Sequence, residues 1–281
     1  MEIIVAKRTG FCFGVSRAIE EVKKVLDEKK EVYIYGELVH NKQVMNELKE
    51  LGATVINNLE EIPEDSNSKI VVIRAHGVTK KEKEVLENNF LEVVDMTCPI
   101  VENLVKFVKQ KQKKNYYVVL YGKPDHPEVV GLRGNVEEEK LLITSSPLEI
   151  KVKKTLIVSQ TTMAESDFKE FIVGMIKCNS FSEVLIKKTI CSETIIREQE
   201  TFSLSKKCDL ILVIGGKHSS NTEKLYNIAK KNCKRTFHIE KVEELEQIDI
   251  NSSDVVGIVT GSSTPEIELE RVINFLEKFK S

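Results

Sequence analysis

The sequence predicts an α/β protein of three pseudo-equivalent lobes, each a small, mostly parallel sheet flanked by helices. Three observations predict it. Strand-like and helix-like segments alternate along the 281 residues, the pattern of parallel α/β units. The order strand, cysteine, helix occurs three times, at Cys12, Cys98 and Cys191. In each copy the next strand closes on a glycine 24 residues after the cysteine, at Gly36, Gly122 and Gly215. Internal repetition decides the architecture before any single element does. It divides the chain into lobes at 1–98, 99–191 and 192–281.

In the first copy, IIVAKRTGFC runs into Cys12. Val15, Ala18, Ile19, Val22, Val25 and Leu26 then recur on one helical face. The strand YIYG is followed by ELVHN, with His40 and Asn41, then by ATVI and by IVVIRAHGVT, with His76. In the second copy, FLEVVDMTC reaches Cys98, and Pro99 is a favoured first helical residue. Ile100, Val101, Leu104, Val105 and Val108 form its apolar stripe. VVLYG leads to KPDHPE, with His126 and Glu128; LLIT and LIVSQTTM follow, the latter with Thr161 and Thr162. In the third copy, SEVLIKKTIC reaches Cys191, and the helix beginning SETIIREQE is more polar than the other two. LILVIGG precedes GKHSSN, with Ser219, Ser220 and Asn221; RTFHI and VVGIVTGSSTP follow, the latter with Ser262 and Ser263. Ligands of open parallel sheets bind beyond the carboxyl ends of the strands. The three cysteines and all of these polar loops lie at such ends.

Bulk properties exclude several functions. The net charge is −2, so no nucleic-acid surface is expected, since that needs clustered positive charge. The runs Lys109–Lys114 and Lys151–Lys154 read as solvated faces. No window approaches the roughly 20 apolar residues of a bilayer crossing, and the start MEIIVAKRTG lacks the features of a signal peptide. A cytoplasmic protein without a membrane partner is expected. The chain ends soon after its last helical segment, so no appended domain is expected. Six cysteines in a reducing compartment do not predict disulfides, and the absence of any CxxC pair excludes a zinc ribbon or thioredoxin motif. Cys178, Cys208 and Cys233 fall outside the repeat and read as structural or incidental.

Three similar units about a common axis would bring the repeated cysteines to one centre. Three thiolates suit zinc with a histidine, or a cubic iron–sulfur cluster with one iron lacking a thiolate. Structural zinc favours closely spaced ligand pairs, whereas these cysteines stand far apart in the chain, which favours the cluster. A cysteine nucleophile at a helix start is a third reading. Loop donors that open helices (His40, His76, Ser219, Asn221 and Ser263) suit a phosphate or diphosphate. No Walker motif is present. Glu128 is a carboxylate in these loops that could deliver a proton to a leaving hydroxyl.

The segments TGFCFGVSRAI, ELVHN, RAHGV, DMTCP, HPEVVG, SQTT, KTIC, SSNT and TGSSTP, spread over residues 9 to 265, resemble the 4-hydroxy-3-methylbut-2-enyl diphosphate reductases of the non-mevalonate isoprenoid pathway. The resemblance implies three α/β lobes around one central [4Fe-4S] cluster held by Cys12, Cys98 and Cys191. It implies an allylic diphosphate substrate bound by His40, His76, Ser219, Asn221 and Ser263, with Ser220 and His126 close by. Glu128 would supply the proton, and Thr161 and Asn221 would hydrogen-bond around the substrate hydroxyl. Two-electron reductive removal of that hydroxyl would give isopentenyl and dimethylallyl diphosphate, with electrons from a ferredoxin or flavodoxin. Two departures stand out. Glu198 follows Arg197 where the family usually has glutamine, and position 218 is His where Asn is common.

Overall fold

The computed structural model describes residues 1–28 and 31–278. In chain order the elements are β1 (Glu2–Val5), α1 (Phe13–Asp27), β2 (Val32–Tyr35), α2 (Lys42–Glu50), β3 (Thr54–Ile56), β4 (Ile70–Ile73), α3 (Lys80–Asn89) and β5 (Glu92–Asp95). Then come α4 (Pro99–Gln112), β6 (Tyr117–Tyr121), α5 (Pro127–Arg133), β7 (Leu141–Thr144), β8 (Lys154–Ser159), α6 (Glu165–Cys178) and β9 (Glu183–Ile186). The last are α7 (Ser192–Ser205), β10 (Leu210–Ile214), α8 (Ser220–Asn232), β11 (Thr236–Ile239), β12 (Val255–Thr260) and α9 (Glu266–Glu277).

The strands form three four-stranded sheets, ordered β3-β2-β4-β5, β7-β6-β8-β9 and β11-β10-β12-β1. Every pairing in them is parallel. The chain divides into two compact units. One comprises 1–16, 39–47 and 192–281 and holds the last of these sheets; the other comprises 17–38 and 48–191 and holds the first two.

The central strands read IVVI, YVVLY and LILVI and are almost wholly buried. Parallel strands covered on both faces need such continuous apolar runs. Successive side chains then serve opposite faces. Leu210, Leu212 and Ile214 pack with Leu269, Val272 and Leu276 of α9. Ile211 and Val213 pack with Leu225 and Ala229 of α8 and with Cys208 and Cys233. The strands that precede the cysteines (β1, β5 and β9) are all sheet edges and are more polar and less buried.

The segment boundaries need one correction. Residues 1–5 do not join the sheet of the first copy, because β1 pairs with β12, Glu2 opposite Val255 and Val5 opposite Ile258. The repeat is circularly permuted: the fourth strand of the last sheet is supplied by the start of the chain. A strand's own sequence states its burial, not its partner, so a linear reading places it with its neighbours. The polar helix after Cys191 is present as α7, and its buried face carries Thr194, Arg197, Glu198, Thr201, Leu204 and Ser205. That face is chiefly polar, which is why apolar periodicity did not reveal it.

Candidate active site

The three repeated cysteines share one local geometry. Each follows an edge strand, and each backbone N–H donates to a carbonyl two residues beyond the end of the neighbouring strand. Cys98 donates to Ala75 at 2.9 Å, Cys191 to Thr161 at 2.9 Å and Cys12 to Ser262 at 3.0 Å. Each cysteine then opens a helix, and the Cys12 and Cys98 carbonyls accept the first helical N–H groups, from Ser16 and Glu102. All three are partly exposed, and none forms a disulfide.

The other cysteines lack these features. Cys178 is the last residue of α6 and Cys233 caps the end of α8. Burial pushes the Cys208 thiol up to about 11. The repeated glycines are equivalent too: Gly36, Gly122 and Gly215 donate to the carbonyls that end β3, β7 and β11.

In the unit built on 192–281, a polar loop cluster surrounds the start of α8. Ser219 caps the helix, its hydroxyl accepting the Thr222 N–H. Ser220 and Asn221 fill its first turn. Asn221 is 4% exposed, and neither atom of its amide has a hydrogen-bond partner. An unsatisfied buried amide costs roughly 1–3 kcal/mol. Such a group calls for a partner, which water or a polar ligand can supply. The Ser263 hydroxyl donates to the His40 carbonyl at 3.4 Å, and the Ser263 backbone carbonyl accepts from Asn41 Nδ2 at 2.9 Å. The loops approach closely because Gly216 lacks a side chain: a Cβ there would lie 2.5 Å from the His40 carbonyl oxygen. Neutral donors around a helix N-terminus suit an anion. The structure thus brings His40 and Ser263 together and places Ser219, Ser220 and Asn221 on one helical turn. Asn41 belongs with them as a positioning residue; its signal was its place in the ELVHN loop.

In the unit built on 48–191, Glu128 is 1% exposed on α5. Its carboxylate accepts the Thr161 backbone N–H at 2.8 Å and the Thr161 hydroxyl at 2.6 Å. Burial pushes the Glu128 carboxyl up to about 6, against the two Thr161 bonds, which pull it down. His126 caps α5, its Nδ1 accepting the Glu128 N–H at 3.2 Å. A neutral His126 therefore carries its proton on Nε2. The His76 ring stands edge-on to it, with centroids 5.5 Å apart. The Thr161 carbonyl also accepts the Cys191 N–H. One threonine thus joins a buried acid to a cysteine arm. His218, one of the two departures from the family pattern, is exposed.

These groups define a class: an α/β protein of three parallel sheets, with equivalent cysteine arms, a loop cluster of polar donors and a buried acid at the carboxyl ends of its strands. The chain belongs to the LytB protein family, whose model matches residues 3–277. It is 59% identical to the 4-hydroxy-3-methylbut-2-enyl diphosphate reductase of Petrotoga mobilis, over 100% of this chain and 99% of that one. It is 44% identical to the enzyme of the same name from Thermotoga maritima, over 100% and 98%. Among solved structures it is similar to the E-1-hydroxy-2-methyl-but-2-enyl-4-diphosphate reductase of Plasmodium falciparum (TM-score 0.87, 28% identity, covering 98% of this chain and 87% of that one). It is also similar to a second (E)-4-hydroxy-3-methyl-but-2-enyl diphosphate reductase (TM-score 0.71, 35% identity, covering 99% and 100%). No helix among the described residues is long and apolar enough to cross a membrane.

Proposed function

We propose that this protein is a 4-hydroxy-3-methylbut-2-enyl diphosphate reductase, an oxidoreductase that closes the non-mevalonate pathway by reductive removal of an allylic hydroxyl. The observation that carries the reading is the hydrogen-bonded series Glu128–Thr161–Cys191, a protonatable buried acid tied to a thiol arm. Cys12, Cys98 and Cys191 would hold one [4Fe-4S] cluster. Their fit rests on the shared helix-start position and the absence of disulfides. When bound, that cluster supplies one-electron transfer and a Lewis-acidic iron.

The chain's own residues do the rest. Ser219, Ser220, Asn221, Ser263 and His40 bind the diphosphate through neutral donors, joined by His76 and His126. Asn221 gains the partners its buried amide lacks. Thr161 orients the substrate hydroxyl and holds Glu128. The C–O bond breaks and the hydroxyl leaves as water, with one proton from Glu128. The second proton adds to carbon, and its position selects isopentenyl or dimethylallyl diphosphate. Two electrons enter one at a time from a ferredoxin or flavodoxin, which balances the reaction.

Anaerobically purified protein tests this directly. Expected are four irons per chain and conversion of the hydroxylated diphosphate by a reduced dye. A colourless protein with one zinc and no conversion, also after anaerobic iron reconstitution, overturns it.

A further inference from the structure

Arg197 is 3% exposed on α7. Its guanidinium donates to backbone rather than to a close carboxylate. One terminal nitrogen reaches the carbonyls of Arg8 at 3.2 Å and Thr260 at 2.9 Å, and the Thr260 hydroxyl at 3.1 Å. The other reaches the carbonyls of Gly10 at 2.9 Å and Thr9 at 3.4 Å. The Gly10 N–H meanwhile donates to the Thr260 hydroxyl at 3.1 Å. Two residues further along both segments, the Cys12 N–H donates to the Ser262 carbonyl. Residues 8–12 are therefore stapled to residues 260–262, and Arg197 closes the staple from behind.

Its charge is as telling as its bonds. Arginine stays protonated even when buried. The nearest carboxylate oxygen, on the partly exposed Glu193, is 4.0 Å away. The other groups that act on it electrostatically are Cys12, Glu200 and Arg8. A buried cation acts on charge in its neighbourhood more strongly than an exposed one does, and this one is bonded to the segment that ends at Cys12.

The other two arms are held differently. Thr97, before Cys98, accepts from the partly buried Arg17 at 2.8 Å through one carbonyl. Thr189, before Cys191, is held by neutral hydroxyl bonds to Ser159. We infer that Arg197 is a positioning residue that fixes the Cys12 arm and, as a buried positive charge behind that arm, raises the reduction potential of the group held there.

The inference rests on Cys12 as a cluster ligand, so the wild-type holoenzyme comes first: an anaerobic redox titration followed by electron paramagnetic resonance. A wild type without a reducible cluster overturns both readings. With a cluster present, Arg197→Gln is expected to shift the equilibrium about tenfold toward the oxidised form, about 59 mV lower. Arg197→Lys keeps the charge and is expected to stay within about twofold of wild type. Glu193→Gln removes a negative neighbour of Arg197 and is expected to raise the potential. Equal shifts in the Gln and Lys variants, or none in either, overturn the inference while the cluster reading stands. Should Arg197→Gln not retain its cluster, Glu193→Gln decides: an unchanged or lowered potential overturns the inference.

Discussion

The arms of Cys12 and Cys191 have the same backbone and opposite surroundings. Each cysteine donates its N–H to the carbonyl two residues past a strand end. Behind Cys12 lies a permanent cation, Arg197, and the same unit carries the neutral loop cluster of Ser219, Asn221 and Ser263. At Cys191 the carbonyl belongs to Thr161, which hydrogen-bonds the buried acid Glu128. Repetition supplies the geometry of the arms, and side chains outside the repeat make them chemically unequal. On the proposed function, one region would hold charge and bind an anion, and the other would deliver a proton.

The largest effects belong to what the arms share. Cys12→Ser, Cys98→Ser and Cys191→Ser are each expected to lose cluster iron. Activity should fall by more than the roughly 10- to 100-fold that loss of a supporting group costs at a metal site. Cys178→Ser, Cys208→Ser and Cys233→Ser should keep both iron and turnover. Iron content and rates across the six variants check this, and a tolerant Cys191 would break the equivalence of the arms.

Next comes the proton. Glu128→Gln is expected to keep iron and substrate binding while turnover falls by about 10²–10⁴-fold, the usual worth of a general acid. Unchanged turnover would remove Glu128 from the reaction. Titration sharpens the point. Burial raises the Glu128 carboxyl from 4.5 to about 6, so the folded protein holds this proton more tightly than the unfolded chain does. Its contribution to stability is complete below pH 4.5 and is lost as pH rises through about 6, by about 2 kcal/mol in all. The pH dependence of the denaturation midpoint should therefore be flatter in Glu128→Gln over that window. Thr161→Val removes one of the bonds that pull this carboxyl down, so the alkaline limb of turnover should move to higher pH. A limb that stays in place or moves down counts against the pairing.

The cysteine arms and the alternation of strands and helices were legible in the sequence because they are set by local chain geometry. A strand end, a turn and a helix start each leave marks within ten residues. Partnerships across the chain leave none. Glu128 and Thr161 each stood out in their own loop, yet nothing in either loop states that they bond to each other across 33 residues. The pairing of β1 with β12 was hidden for the same reason. Arg197 was noted only as part of a short motif, because a buried polar helix face has no apolar periodicity to betray it.

A smaller effect separates binding from chemistry. Asn221→Ala removes an amide that is buried without partners in the ligand-free protein. Ligand-free stability is therefore expected not to fall, which is unusual for truncation of a buried side chain. Affinity for inorganic diphosphate should drop about tenfold, about 1.4 kcal/mol. Thermal melting with and without diphosphate reads both quantities. A destabilised ligand-free protein with unchanged affinity would make Asn221 a structural residue.

The smallest effect concerns Glu198, which follows Arg197 where the family usually has glutamine. Its carboxylate meets Lys224 at 2.6 Å, with the two side chains 11% and 12% exposed. The pair ties α7 to α8, and hence the helix that carries Arg197 to the helix that carries Asn221. Glutamine has nearly the same shape and can still accept a hydrogen bond from the lysine, so Glu198→Gln should cost no more than about 1 kcal/mol and leave turnover unchanged. Lys224→Met is the harsher change, because it strands a nearly buried carboxylate, and about 3 kcal/mol is expected. Denaturant titration of the two variants compares them. Equal losses would mean that packing, not charge, joins the helices, and that the acidic residue at this position is interchangeable with its neutral relative.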